Sequence, residues 1–549
     1  MRIPRTTGSP KRIDLDAKAI AGLLERIKSQ LSEGDFTTLQ ATLETLTLVT
    51  LELSSKKTTI DRLRQILFGS KSEKSDQVLG KGQSNEKDKE PDKEPDKNGK
   101  NEKAKQPGHG RNSAGAYTGA KKEKVPHPSL NKGDGCPGCI KGRVYFLPEP
   151  SQLVRITGMA PLGACIYECD RLRCNLCGEV FTAPSPEGVG ESKYDESATA
   201  MTGLLKYGSG LPFNRIEKLQ AGMGIPLPAA TQWDLVKEGA ADLAVVHAEL
   251  VRQAAQGDVL YNDDTTMKVL SLSGEQRAAA AADEETDGRT GVFTSGIVST
   301  QDGHQVALFF TGAKHAGENL ATVLAERAKE LAPPTQMCDA LSRNTVGTFE
   351  TIVANCNAHA RRKYVEVVDD FPEECRYVLE VLREVYKTDA DARRQELSSL
   401  DRLRLHEKES GPRMTGLEDW MRKQMDEHLV EPNSGIGEAI RYMQKHWSKL
   451  TLFLRRPGVP LDNNICERTL KKAILHRKNA LFYRTTNGAH VGDVFMSLIH
   501  SAELNKVHPF NYLVALLRNR EAVEKAASEW LPWNYQSALK KLHDLNQLD

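Results

Sequence analysis

The chain has 549 residues, with 75 Lys and Arg against 74 Asp and Glu, a formal net charge of +1. That length is too great for one hydrophobic core, so several domains are expected. The balanced charge excludes a global basic field, and any polyanion must be held by local patches. No apolar run reaches membrane-spanning length and no signal-peptide pattern opens the chain, which predicts a cytoplasmic protein with no membrane partner. Ten cysteines in so long a chain do not form a disulfide framework, and two of the pairs have metal spacing.

Residues 1–13 read as a disordered tail. From 14 to 68 the chain is rich in Leu, Glu, Lys and Thr and lacks Pro. Leu39, Leu46, Leu53, Ile60 and Leu67 recur every seven residues, with Leu43, Val49 and Leu63 widening the stripe. A sevenfold apolar repeat keeps one stripe facing a partner helix, so a coiled coil and self-association are expected. An amphipathic helix folded onto its own domain would carry a similar stripe. Residues 69–124 are nearly free of apolar side chains and repeat KEPD. Such a segment buries too little to offset chain entropy and reads as a disordered charged linker.

Cys136-Pro-Gly-Cys139 and Cys174-Asn-Leu-Cys177 follow, separated by a strand-rich insert. Two thiol pairs on tight turns can place four sulfurs tetrahedrally round one structural zinc ion, so 125–190 reads as a zinc ribbon. Residues 191–256 carry three helical patterns, SATAMTGLLKYGSG, PFNRIEKLQAGMG and PAATQWDLVKEGAADLAVVHAELV. They fit a helix-turn-helix DNA reader or a connector packed beneath the next domain.

Residues 257–365 open an α/β core. DVLYNDDTTMKVLSL, GVFTSGIVST and HQVALFFTG read as strands, with an exposed hairpin loop before the second. KHAGENLATVLAERAKEL reads as a helix, TQMCDAL as a strand ending at Asp339, and FETIVANCNAHARRKYVEVV as helix, strand and helix. The order β-β-β-α-β-α-β-α is that of a ribonuclease-H-like fold. Residues 366–456 read as a helical insertion, 457–500 as the rest of the core with a helix bearing Glu467, and 501–549 as a helical cap whose Trp and Tyr pack inward.

Three carboxylates on separate elements, Asp263, Asp339 and Glu467, can share two divalent ions for phosphoryl transfer. All-oxygen ligands favour two Mg²⁺ or Mn²⁺. Asp264 follows Asp263 on a strand, so only one of them can face the metals, and Asp264 is expected outward or behind the site. Cys356 and His359 invite a nucleophile or zinc reading, but two ligands without a second pair make a weak metal case, and Cys356 is expected buried in its strand with His359 beginning a helix near the site. Arg361 and Arg362 form a candidate phosphate clamp, and Lys471, Arg477 and Lys478 follow Glu467 on its helix as candidate DNA grips.

Several stretches resemble the insertion-sequence-66 family of bacterial transposases: LRQILFGSKSEKSD, the CPGC and CNLC pairs, LLKYGSGLPFNRIEKL, NDDTTMKVL, CNAHARRKY, DNNICERTLKKAILHRKNALFY and SAELNKVHPFNYL. The resemblance implies an Asp-Asp-Glu triad that carries onto Asp263, Asp339 and Glu467. Two departures are Ala340-Leu341, where the family commonly has Gly-Tyr, and Asn357, where it has Trp. The expected function is metal-dependent cleavage of double-stranded DNA at transposon ends and joining to target DNA. The expected protein is a homodimer or higher homo-oligomer, at the bacterial nucleoid when bound to DNA, with or without accessory proteins of the same element. A catalytically inactive DNA-binding descendant, or a nuclease without joining activity, is the alternative.

Overall fold

The computed structural model describes residues 131–134, 143–145, 161–173, 180–184, 186, 192–272 and 291–546, together with Phe36 and Leu39. The chain divides into two units, Met1–Gly82 and Gln83–Asp549. Of the first, only Phe36 and Leu39 are described, and both are helical. The expected tail, most of the coiled coil, the linker, all four ribbon cysteines and the loop before the second core strand lie outside the described residues. What is described of residues 125–190 includes an antiparallel pair, β1 (Arg171–Arg173) and β2 (Val180–Thr182), whose connection contains Cys174 and Cys177.

The rest is mixed α/β. Helix α1 (Glu196–Gly203) runs into a π-turn, Leu204–Gly208. Helices α2 (Phe213–Gly222) and α3 (Ala229–Ala255) each begin just after a proline, where a missing N–H costs nothing. Val236, Leu243, Val246 and Leu250 of α3 recur at helical spacing and are buried in the same apolar core as the sheet.

That sheet contains β3 (Val259–Thr266), β4 (Phe293–Gln301), β5 (His304–Gly312), β6 (Thr335–Cys338) and β7 (Ile352–Asn355), in the order β5-β4-β3-β6-β7. The pairs β3–β4 and β4–β5 are antiparallel, while β3–β6 and β6–β7 are parallel. Asp302 and Gly303, both at positive φ, make the two-residue turn between β4 and β5. Asp-Gly tolerates the left-handed backbone that so tight a hairpin needs. Helix α4 (Ala316–Leu324) joins β5 to β6. Between β6 and β7 the sequence pattern predicted a helix, but the chain makes only a 3-10 turn, Ser342–Asn344. The segment SRNTVGT is rich in Ser, Thr, Asn and Gly, which favour turns over helix interiors.

After α5 (Asn357–Glu366), residues Pro372–Arg394 (α6), Ser399–Glu409 (α7), Gly411–Asp426 (α8), Gly435–Lys445 (α9) and Trp447–Leu450 (α10) are helical. On α6, Cys375, Val378, Leu379, Leu382 and Val385 form one buried stripe. An irregular approach then leads into α11 (Asn464–Ala480), which crosses β3 and β4, followed by α12 (Thr486–Leu504) against β5. Residues Pro509–Arg518 (α13), Arg520–Lys525 (α14) and Tyr535–Asn546 (α15) complete the chain, with Tyr512, Trp530 and Tyr535 buried as expected. No described helix is long and apolar enough to cross a membrane.

The outer edge of β5 is sealed by side chains. Asp493, Ser497, Ser501 and Asn505 lie four residues apart on and just beyond α12. They accept from the backbone N–H groups of Thr311, Phe309, Ala307 and Gln305, at 2.7, 3.0, 3.0 and 3.2 Å. Four helical residues rise about 6 Å and two strand residues about 6.6 Å, so the two periods match closely enough for each step to find its partner. An edge strand that would otherwise template aggregation is thereby closed.

Candidate active site

Asp263 sits in the middle of β3, opposite Gly296 of β4. Gly296 is there for close approach: a Cβ on it would lie 2.9 Å from Leu470 of α11. The Cys466 thiol donates to the Gly296 carbonyl at 3.3 Å. A missing side chain thus lets α11 lie directly on the strand beside Asp263, and Glu467, in the first turn of α11, follows Cys466 into that position. Asp339 is the first residue past β6, beside β3 in the sheet. The structure therefore brings Asp263 and Asp339 together from two neighbouring strands, with Glu467, on the helix laid over them, near enough for its charge to act on Asp263.

Asn344, which the sequence did not single out, ties two of them together. Its Nδ2 donates to Asp339 Oδ1 at 2.6 Å and to Asp263 Oδ1 at 3.2 Å. The turn that carries it is pinned by buried amides: Asn262 Nδ2 and Gln336 Nε2 donate to the Asn344 carbonyl at 2.7 and 2.6 Å. Thr351 in turn donates to Gln336 Oε1 at 3.0 Å. The only sequence signals were amides next to the strand positions, Asn262 before Asp263 and Gln336 within β6.

Burial, together with the charges of Asp339, Asp264 and Glu467, pushes the Asp263 carboxyl up to about 7, against the opposing hydrogen bond from the Asp264 N–H. Among the described residues no basic side chain is paired with Asp263 or Asp339. Crowded carboxylates without a protein cation are a donor set that fits a divalent metal.

Asp264 is not outward. Its side chain is 1% exposed and pairs with His315 Nδ1 at 2.8 Å and Arg343 Nη2 at 3.4 Å. His315 precedes α4 and packs tilted against Phe293, with ring centroids 4.2 Å apart. The expected alternation along β3 holds, but the other face is covered by α4 rather than by solvent.

Glu467 has neighbours on α5. His359 Nδ1 lies 3.6 Å from Glu467 Oε1, and Arg362 Nη2 lies 3.7 Å from Oε2. The three consecutive cations of α5 diverge round the helix: Arg362 reaches Glu467, Arg361 acts on Tyr386 of α6, and Lys363 lies over the Tyr442 ring. Cys356, at the entry to α5, accepts from the Asn463 N–H at 3.2 Å, and burial pushes its thiol up to about 12. Asn463 Nδ2 also donates to the Asn262 carbonyl at 3.1 Å, so the residue before α11 fastens it to both β3 and α5.

Farther along α11, Lys471 and Lys478 are exposed. Arg477 is bound to the end of β3, donating to Thr265 Oγ1 at 3.1 Å and Thr266 Oγ1 at 2.7 Å. The chain leaves α11 through Leu481 at φ +69° and returns to β3, with the Tyr483 N–H donating to the Lys268 carbonyl at 2.9 Å.

A family model described as "Transposase IS66 family" matches residues 191–491, a stretch that contains Asp263, Asp339, Asn344 and Glu467. Two similar proteins come from Sinorhizobium fredii (strain NBRC 101917 / NGR234). "Uncharacterized protein y4jD" is 26% identical over 391 residues, covering 67% of this chain and 71% of its own. "Uncharacterized protein y4hP" is 25% identical over 390 residues, covering 67% of each.

Proposed function

The chain belongs to the IS66 family of transposases, since the matched residues 191–491 are more than half of its 549, and from that premise we propose that it cleaves and joins DNA with an Asp263–Asp339–Glu467 site. The observation that carries this reading is the sharing of the Asn344 amide by Asp263 and Asp339, with the charge of Glu467 bearing on Asp263. The sheet order β5-β4-β3-β6-β7, with its three antiparallel strands followed by two parallel ones, supports a ribonuclease-H-like core.

Asp263, Asp339 and Glu467 would hold two Mg²⁺ or Mn²⁺ ions. Such a pair, when bound, activates an attacking oxygen and stabilises a leaving one at the phosphorus. The protein's own part is placement. Asn344 holds two carboxylates at fixed separation, the Gly296 contact sets the depth of Glu467, and Arg362 places a positive charge beside Glu467 for a DNA phosphate. Exposed Lys471 and Lys478 extend that charge along α11, while Arg361 and the anchored Arg477 contribute from the flanks. The nucleophile is water in cleavage and a DNA 3′ hydroxyl in joining, with no covalent enzyme intermediate.

In this reading Cys136, Cys139, Cys174 and Cys177 bind one structural zinc ion, the ribbon and helices α1–α3 read transposon ends, and residues 14–68 pair protomers. Oligonucleotides carrying the terminal repeats that flank the gene, incubated with Mg²⁺ or Mn²⁺, test the reading. The intact chain should nick the ends and join them to target DNA. Asp263→Asn and Glu467→Gln should each lose on the order of 10²-fold or more of both steps. Undiminished cleavage in either variant would remove the proposed site. End binding without nicking by the intact chain would leave an inactive DNA-binding protein, and nicking without joining would leave a nuclease.

A further inference from the structure

The sequence offers Cys356 and His359 as a ligand pair that lacks partners, and the fold supplies a third donor. Cys356 Sγ, a ring nitrogen of His359 and a carboxylate oxygen of Glu467 all lie within 4.8 Å of one another. His359 Nδ1 and Glu467 Oε1 are both buried without a hydrogen-bond partner, although they face each other at 3.6 Å. Buried polar atoms are normally paired, so two such atoms turned together mark a place for something that binds both. The third corner is prepared as well: the backbone N–H groups of Asn463 and His359 both point at the Cys356 sulfur.

We propose that Cys356, His359 and Glu467 form a zinc site that shares Glu467 with the Asp263–Asp339 carboxylates. Zinc takes nitrogen at 2.0–2.1 Å and carboxylate oxygen at 2.0–2.2 Å in tetrahedral geometry, which separates the two donors by about 3.4 Å. The observed 3.6 Å needs little adjustment. Sulfur, imidazole and carboxylate together select zinc over magnesium, which prefers oxygen alone. Three protein ligands leave a fourth position for water or a phosphate oxygen. The site is separate from the four ribbon cysteines and lies on described elements throughout. Its consequence rests on the transposase reading: zinc held here draws Glu467 away from the metal pair of Asp263 and Asp339, so zinc acts as an inhibitor of Mg²⁺-dependent cleavage.

The test is metal content, which does not depend on activity. The full chain is equilibrated with limiting zinc, freed of excess, and its zinc counted in wild type, Cys356→Ser and His359→Ala. Each variant should hold one zinc per chain fewer than wild type, whatever the ribbon retains, or bind that ion at least tenfold more weakly. His359 is only partly buried, its side chain 24% exposed, so His359→Ala keeps the test sound even if the fully buried Cys356→Ser misfolds. A cobalt-loaded chain should also lose part of its thiolate absorption in Cys356→Ser. Equal zinc content and affinity in wild type and His359→Ala would overturn the proposal. That outcome leaves the DNA assays untouched, and failed DNA cleavage leaves the zinc count untouched.

Discussion

The two sides of the central sheet treat polar groups in opposite ways. At the β5 edge, Asp493, Ser497, Ser501 and Asn505 meet four strand N–H groups in strict rotation. Around the ends of β3, β6 and β7, by contrast, Asn344 Oδ1, Asn355 Oδ1, His359 Nδ1, Asn463 Oδ1 and Glu467 Oε1 are buried without partners. Both regions are built from the same kinds of residue on the same sheet. In the first every outward strand N–H from Gln305 to Thr311 is met, and this serves stability. The second holds crowded acids and unanswered donors and acceptors, which costs stability and leaves binding capacity for cations and phosphate.

Substitutions should separate the two regions cleanly. The largest effects are those of Asp263→Asn and Glu467→Gln on DNA cleavage, and neither should lower the melting temperature of the metal-free protein, because each removes one of several mutually repelling charges, for Glu467 against only a half-exposed 3.7 Å pair with Arg362. Next comes Asn344→Ala, which frees Asp263 and Asp339 from their shared donor. The Mg²⁺ concentration for half-maximal cleavage should rise about 10- to 100-fold, as for other groups that orient metal ligands. An unchanged metal dependence would mean that Asn344 serves only the turn.

At the sealed edge the expected pattern reverses. Ser497→Ala with Ser501→Ala leaves the Phe309 and Ala307 N–H groups buried and unpaired. Urea denaturation should show a loss of about 1–3 kcal/mol for each, with cleavage per folded molecule unaltered. A loss of activity without loss of stability would erase the distinction between the regions.

The remaining effect is a pH dependence. Burial pushes the Asp493 carboxyl up to about 8, despite the two hydrogen bonds it accepts from Thr311. Between about 4 and about 8 the folded chain keeps a proton that the unfolded chain has released, so this group's contribution to stability falls as pH rises through that window. Below the window both states are protonated and above it neither is, so the contribution is level at each end. Asp493→Asn should flatten that part of the urea midpoint's pH profile; an unchanged slope would show that Asp493 ionises normally.

The site was legible in the sequence to an unequal degree. Asp263 and Asp339 declare themselves because each stands at a fixed place on a short apolar strand, and strand periodicity is a local property. Glu467 stands out as an acid on a basic helix. Asn344 was invisible, since its segment showed no pattern of its own and its worth lies in a turn that folds back between two strands. The partner of Asp264 was equally hidden, because no local pattern tells which face of β3 is covered by α4.

The sequence by itself determined the strands of the core and most of its helices, the acids, and, through its quoted motifs, the family. These depend on spacing within a few residues, which side-chain periodicity reports directly. Only the tertiary structure decided which of the groups meet: the Asn344 bridge, the seat of α11 on Gly296, the seal of β5 by α12, and the junction of Cys356 and His359 with Glu467. Each joins elements far apart in the chain through shape and hydrogen bonding, and a contact of that kind leaves no period in either segment to be read.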